Sequence, residues 1–257
     1  MQTTRTQLRQ MARDQLKGSW LWVIGLWILP PILVNIVTAI NNWIWTGRFE
    51  IDEKMLHLFW WQQSGVGLIG FIIGLAALVI SYGVIYSQLA FRDTGKKPNI
   101  FKAIFAGFTN GYLFRTLITS ILVNIFLCLW TILLIIPGII KGFSYSMTPY
   151  IMKDMIDAHH KMSFTEAIRQ SRKLMKGHKT DLFILWLSFN IWYFIIGVIG
   201  LVFFTINVES YTMSVLITVI TAVACWIASF YIQPYYRQTV ANFYRELAGD
   251  KFLNGDY

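Results

Sequence analysis

Residues 182–206 form an apolar run of 25 residues without a charged side chain. A helix needs about 20 apolar residues to cross about 30 Å of hydrocarbon, so this run is long enough to span a membrane. Soluble domains carry about 25% charged residues, whereas this chain has 14% charged and 56% hydrophobic residues. The sequence therefore predicts an all-α, polytopic membrane protein and excludes an ordinary soluble domain.

The other apolar runs predict a bundle of six membrane-spanning helices in one integral membrane domain, residues 1–257. The longest run, 112–152, has room for two short crossings, and Pro137-Gly138 provides a break between them. The predicted spans lie at about 19–40, 66–91, 112–135, 139–156, 182–206 and 213–233.

Amphipathic segments between the spans predict basic helices that lie on the membrane surface. Ser163 and Glu166 have the spacing of a capping box at the start of one of them, and Gly18 and Gly177 are suited to helix stops. The predicted surface helices are 4–17, 99–110, 163–176 and 236–248. The cations expected to contact headgroups are Arg9, Arg13, Lys17, Lys96, Lys97, Lys102, Arg169, Arg172, Lys173 and Lys176.

The distribution of the 22 Lys and Arg residues predicts an orientation. With six spans, all but Arg48, Lys54 and Lys141 fall on the side of the N-terminus. By the positive-inside rule, this asymmetry predicts a protein of the cell membrane with both termini in the cytoplasm. The net charge of +9 lies beside apolar runs instead of in one patch, so we expect anionic lipid headgroups as partners and not nucleic acid.

The predicted fourth span is unusually polar, which is typical of short, Pro-broken helices that line binding sites. Lys141 in it is expected to reach the outer interface or to contact an anionic headgroup or substrate, because a charge within the membrane costs about 3 kcal/mol or more. Asn124 and Asn190 lie in other spans, where hydrogen bonds between helices are the alternative to ligand binding. The candidate ligand-binding residues are Lys141, Ser144, Tyr145, Thr148, Asn124 and Asn190.

The segment Asp154 to His160 gathers two carboxylates and two imidazoles. A metal site or a phosphotransfer site is one interpretation, and a solvated helix end is the other. No second cluster completes a coordination sphere, and no metalloprotease, P-loop or nucleophile motif occurs. Cys128 and Cys225 lie in separate apolar runs and predict no disulfide framework. We therefore expect no catalytic residue, metal or cofactor.

Two basic segments resemble each other. Residues 8–18 align with 168–177, and each precedes two predicted spans, while 101–110 takes the same position before the third span. The hypothesis is three repeats of a surface helix followed by a helical hairpin.

Three stretches resemble a known family: IIPGIIKGFSYSMTPYIMKD at 135–154, AIRQSRKLMKGHKTDLFILWLSF at 167–189, and QPYYRQTVANFYREL at 233–247. They are similar to the integral membrane family called domain of unknown function 975, and more distantly to the membrane domain of some glycerophosphodiester phosphodiesterases. The resemblance implies a small multi-pass membrane protein, mostly of Gram-positive bacteria, and it supplies no catalytic residues.

These features favour a non-enzymatic protein that handles or senses lipids or other amphipathic molecules, or that supports a partner in the envelope. A second copy of the chain or another membrane protein would then be a partner. The alternatives are a small transporter or export component, and an intramembrane enzyme acting on lipid phosphates that would need Asp154 and His160. The spans carry no central Asp or Glu, which disfavours an ion-coupled pump.

Overall fold

The structure is a computed structural model that describes residues 4–46, 56–109, 113–160, 163–206 and 211–255, with the backbone alone for 41–46, 56–68, 206 and 211. Every regular element in these ranges is helical, which confirms the all-α prediction. The helices are α1 Arg5–Leu16, α2 Trp20–Thr46, α3 Leu56–Thr94, α4 Ile100–Ile104, α5 Leu113–Leu133, α6 Ile135–Tyr145, α7 Thr148–Asp157, α8 Glu166–Leu174, α9 Lys179–Ile206, α10 Tyr211–Ala248 and α11 Lys251–Asn254, with a 3-10 turn at Phe105–Phe108.

Five helices in the described ranges are long and apolar enough to cross a membrane. The candidate spans are Trp20–Ile40, Ile69–Thr94, Leu113–Leu133, Lys179–Thr205 and Thr212–Ala248. The predicted count of six is therefore not confirmed. The predicted fourth span at 139–156 is two short helices, α6 and α7, which are separated at Ser146 and Met147.

The long helices pair side by side. α2 packs on α3, α9 packs on α10, and α3 contacts α10. Two contacts show that α9 and α10 run antiparallel. The Tyr193 hydroxyl donates to Ser229 Oγ at 3.1 Å. Phe189, earlier in α9, packs against Tyr235, later in α10, with ring centroids 5.0 Å apart.

The short helices gather at one end of the long ones. The Arg5 guanidinium lies 3.2 Å from the Asp181 carboxylate, which ties α1 to the start of α9. The Lys97 ammonium donates to the Gly18 carbonyl oxygen at 2.8 Å, which ties the end of α3 to the start of α2. We call this end the basic layer: α1, α4, α7 and α8, together with the ends of α2, α3, α9 and α10 that they contact.

The predicted surface helices at 4–17 and 163–176 exist as α1 and α8, but their apolar stripes face protein. Leu8 and Leu16 of α1 and Ala167 and Ile168 of α8 are buried. α1 packs on α10, and α8 packs on α6 and α7. An amphipathic stripe can cover a bilayer or a protein surface equally well, so its partner is decided by the neighbouring helices.

The predicted starts and ends of the helices are partly confirmed. Gly18 and Gly177 end their helices with φ of 71° and 91°, a backbone region that glycine adopts without steric cost. The capping box predicted at Ser163 is wrong, because α8 begins at Glu166 without a side-chain cap. A capping box does form at α1, where Gln7 Oε1 accepts from the Thr4 backbone N–H at 2.7 Å.

Two other predicted surface helices also differ from the structure. The segment 236–248 is not a separate helix but the end of α10, which continues through Pro234. The segment 99–110 is α4 plus the 3-10 turn, and Ile104 in it is fully buried against α3. The threefold repeat stays a hypothesis.

Candidate functional site

The ligand-binding residues predicted in the fourth span are mostly buried. Ser144 and Tyr145 are 2% and 5% exposed, and Thr148 is completely buried. The Ser144 hydroxyl donates to the Ile140 carbonyl oxygen of its own helix at 2.9 Å. These three side chains present almost no free surface, and the ligand site predicted there stays a prediction.

Lys141 lies on α6 near the basic layer, whereas the six-span prediction placed it near the opposite face. Its ammonium sits 4.3 Å from the centroid of the Trp130 ring. Burial lowers the pKa of Lys141, and the charges of Arg172 and Lys179 lower it further. The physical reason is that α6 returns beside the start of α9, a contact between segments distant in the sequence.

Asn124 and Asn190 lie on α5 and α9. The Asn124 amide donates to the Ser120 carbonyl oxygen, and the Asn190 amide donates to the Trp186 carbonyl oxygen, each at 2.8 Å. Each amide therefore uses one N–H donor within its own helix, and the bonds between helices that the sequence suggested stay a prediction.

Asp154 is not part of a solvated helix end, as one interpretation of the sequence had it. Its carboxylate is fully buried and receives hydrogen bonds of 2.6 and 2.8 Å from Arg245 and one of 2.6 Å from the Tyr244 hydroxyl. Burial raises the pKa of Asp154, although Arg245 and Tyr244 favour its charged form. By contrast, the Asp157 side chain is half exposed and pairs with Lys153.

The Asp154 contacts join three helices in a cluster. Arg245 of α10 also binds Asp93 at the end of α3, with Nη2 2.6 Å from a carboxylate oxygen. Arg92 then donates to the Asn242 side-chain oxygen at 3.1 Å. Because the donors of Arg245 are directed at two carboxylates, this arrangement fastens α3, α7 and α10 together. His160 lies elsewhere, with Nε2 3.4 Å from the Leu253 carbonyl oxygen.

A groove runs between α9 and α10 where both leave the basic layer. It has a volume of about 450 Å³, within the range of ligand pockets, and its surface is mainly apolar. We call it the α9–α10 groove. Its lining residues are Arg9, Ser188, Phe189, Trp192, Ile196, Ala228, Tyr231, Ile232 and Tyr235.

A second, polar depression adjoins this groove on α1. It has a volume of about 430 Å³, and we call it the α1 pocket. Its lining residues are Thr6, Arg9, Gln10, Arg13, Asp14, Lys17 and Tyr235. Three cations and one carboxylate line it, and the carboxylate of Asp14 is 2.7 Å from the Lys17 ammonium. The α1 pocket therefore keeps an excess of positive charge.

Arg9 and Tyr235 line both cavities, so the two are adjacent. The Arg9 guanidinium lies 4.8 Å from the centroid of the Phe189 ring and donates to the Ser188 hydroxyl. Its Nε is buried without a hydrogen-bond partner. The Tyr235 hydroxyl donates to the Arg9 carbonyl oxygen at 3.1 Å, which holds α1 against α10. The apolar groove thus borders a half-buried cation, Arg9.

Sequence reasoning found Arg9, Arg13 and Lys17 as membrane-surface cations but missed the groove beside them. Arg9 is half-buried, whereas the other cations predicted at the surface, Arg13, Lys17, Lys96, Lys97, Lys102, Arg169, Arg172, Lys173 and Lys176, are exposed. The available signal was Tyr231 near the end of the predicted span 213–233, which is also the pattern of an interfacial belt, whereas Trp192 lies near the middle of the span 182–206. Contact of these cations with headgroups stays a prediction.

Comparison with curated proteins and with solved structures finds no match. A family model does match residues 131–251, which extend from the end of α5 to α11 and include the α9–α10 groove residues on both helices. Over this part, the chain is similar to the family described as "Protein of unknown function (DUF975)".

Proposed function

We propose that this protein is a non-enzymatic, multi-pass protein of the cell membrane that binds anionic lipids or related amphipathic molecules. The binding site is the α9–α10 groove for the apolar part and the α1 pocket for the charged part. One observation carries the proposal: Arg9 lines both cavities, so the apolar surface ends where the positive charge begins.

The chemistry of the two cavities fits an amphiphile with an anionic head. Trp192 and Tyr231 at the groove are 58% and 51% exposed and lie within candidate spans, so the groove opens towards hydrocarbon. Arg13 and Lys17 are exposed beside Arg9 and would attract a phosphate group, each by about 1 kcal/mol near a membrane surface. A guanidinium also offers paired donors that match phosphate oxygens.

The orientation with both termini in the cytoplasm is part of the proposal. The basic layer contains the described cations of α1 and α8, and the positive-inside rule assigns such a layer to the cytoplasmic face. The anionic lipids of that leaflet are then the ones that the α1 pocket meets.

A role without catalysis is supported by the Asp154 cluster. Both oxygens of this carboxylate accept hydrogen bonds from Arg245, and the residue has no exposed surface. An acid or base in catalysis must reach its substrate within hydrogen-bond distance. Asp154 is held as a structural group, which disfavours the lipid-phosphate enzyme.

The proposal is tested by native mass spectrometry of protein reconstituted with equal amounts of phosphatidylglycerol and phosphatidylcholine. We expect retained phosphatidylglycerol in the unchanged protein. Ala228→Trp fills the groove, and Arg13→Gln removes a pocket cation without a described bond; each is expected to lower retention. A loss of about 1.4 kcal/mol corresponds to about tenfold in affinity.

Val223→Trp is the matched control, since Val223 is exposed on α10 and lines neither cavity. Equal retention by Ala228→Trp and Val223→Trp would show that lipid binds elsewhere. Movement of an amphiphile across proteoliposomes that Ala228→Trp abolishes would favour the transporter alternative.

A further inference from the structure

The junction of α5 and α6 exposes a continuous apolar surface. Five consecutive residues, Ile132 to Ile136, are each between 66% and 77% exposed. Ile139 and Ile140 extend the surface along α6, at 51% and 47%. A patch of this kind is unfavourable in water and marks a surface that lipid or protein covers.

The start of α9 provides a reference level for this hairpin. Asp181 binds Arg5 of α1, so the first turn of α9 belongs to the basic layer. If α5 crossed the membrane from its first residue to its last, its 21 residues would carry the hairpin tip about 30 Å away from that layer. The tip would then lie near the far ends of α9 and α10.

The contacts of α6 place the tip beside the first turn of α9 instead. Ile136 and Ile140 line one apolar groove together with Lys179 and Thr180, with a volume of about 350 Å³. Further along α6, Phe143 packs against Phe183 with ring centroids 5.7 Å apart. Phe143 and Phe183 line the same groove, so α6 lies beside the start of α9 from Ile136 to Phe143. An α6 that returned from the far side would place Ile136 beside residues later in α9 than those that Phe143 contacts.

The contact between α6 and α8 gives a second indication. The Ser171 hydroxyl of α8 donates to the Ser144 carbonyl oxygen at 2.8 Å, eight residues beyond the tip residue Ile136. Lys141 lies between the tip and Ser144, and the charges of Arg172 and Lys179 act on it. Arg172 belongs to α8 and Lys179 begins α9, both in the basic layer. Because α6 contacts α8 this close to the tip, the tip lies on the side of the basic layer.

The first half of α5 also contacts elements next to the basic layer. Thr116 shares a hydrogen bond of 3.2 Å with Tyr86, near the end of α3. The Thr119 hydroxyl donates to the Phe164 carbonyl oxygen just before α8, at 3.0 Å. α5 is therefore bound to the basic layer near its start and, through α6, near its end, which leaves it along the layer and not across the bundle.

We propose that α5 and α6 form a hairpin that enters only the leaflet next to the basic layer, with the acyl chains of that leaflet covering its apolar face. α2, α3, α9 and α10 are then the four helices that cross the membrane. Charge complementarity supports a lipid occupant, because Lys141, Arg172 and Lys179 lie at the border of the apolar face, where anionic headgroups would meet them. The inference does not depend on ligand binding in the α9–α10 groove.

The first test measures which side of the membrane reaches the tip. In protein with Cys128→Ser and Cys225→Ser, single cysteines are introduced by Ile135→Cys, Phe49→Cys or Lys173→Cys. Residue 49 lies in the sequence between α2 and α3, and Lys173 is exposed on α8. Membrane-impermeant maleimide is applied to vesicles of each orientation. We expect no labelling of Ile135→Cys from the side that labels Phe49→Cys.

The second test measures a distance, so that an unlabelled tip is still informative. Spin labels are attached to Ile135→Cys and Thr180→Cys in the reconstituted protein; both positions are exposed. The proposal expects dipolar broadening from a separation below about 20 Å, whereas a crossing α5 places the labels about 30 Å apart. Labelling of the tip from the Phe49 side, or a separation near 30 Å, would overturn the proposal.

Discussion

Arg245 of α10 binds Asp154 of α7 through both terminal nitrogens of its guanidinium, at 2.6 and 2.8 Å. The two residues are 8% and 0% exposed, and they are 91 positions apart in the chain. The pair fastens a short helix of the basic layer to the longest candidate span. Its geometry leads to a first prediction about stability.

Asp154→Asn should strongly destabilise the protein, because it leaves part of the buried Arg245 charge without its partner. Breaking a buried ion pair in this way costs about 3–5 kcal/mol. Thermal unfolding in detergent measures the effect. The control is Asp157→Asn on the same helix, whose half-exposed pair with Lys153 contributes at most about 1 kcal/mol. Similar losses in both variants would contradict the structural role of the cluster.

Gln238→Leu should disrupt a second buried network, which joins three helices. Gln238 accepts from Gln88 at 3.2 Å and donates to Gln15 at 2.7 Å, and it is completely buried. Each buried group left without a partner costs about 1–3 kcal/mol. Gln10→Leu, at an exposed position of α1, is expected to change the free energy of unfolding by less than about 0.5 kcal/mol.

Gly83→Ala and Gly74→Ala should differ although both lie within α3. A Cβ at Gly83 would come within 2.6 Å of the Ile104 carbonyl oxygen, whereas one at Gly74 meets nothing within 4 Å. Overpacking against backbone costs about 1–3 kcal/mol, and relief of glycine's helix penalty is worth about 0.5–1 kcal/mol. Denaturant unfolding should therefore show a loss for the first variant and none for the second.

Thr4→Ala should loosen the first turn of α1. The Thr4 hydroxyl accepts from the Gln7 backbone N–H at 3.4 Å in the capping box, and loss of such a cap costs about 0.5–2 kcal/mol. Hydrogen exchange of residues 5–9 should become faster. Thr6→Ala, exposed in the same helix but outside the cap, should leave that exchange unchanged.

Much of the helical framework could be predicted from the sequence, because a run of apolar residues has few ways to satisfy its backbone in lipid. The run 182–206 is α9 within three residues, and 213–233 lies inside α10. Of three glycines in α3, Gly83 closely approaches a neighbouring backbone, whereas Gly70 and Gly74 have open space beside them. Which glycine meets a neighbour depends on the position of α4.

The candidate site was less predictable. Arg9 was recognised as a cation of the basic surface, but its position over Phe189 depends on the packing of α1 against α9 and α10. Asp154 was ambiguous for a similar reason, since its partner Arg245 lies 91 residues away. No local sequence pattern predicts a contact between segments so far apart.

The sequence alone determined that the chain is helical and rich in apolar segments long enough to span a membrane, because the length of a hydrophobic run is a local property. Tertiary structure decided what each amphipathic or charged segment faces. α1 and α8 bury their apolar stripes in protein, and Lys141 lies beside cations of the basic layer. The physical reason is that apolar surface gains free energy by leaving water for either lipid or protein, so only the packed helices determine which of the two covers it.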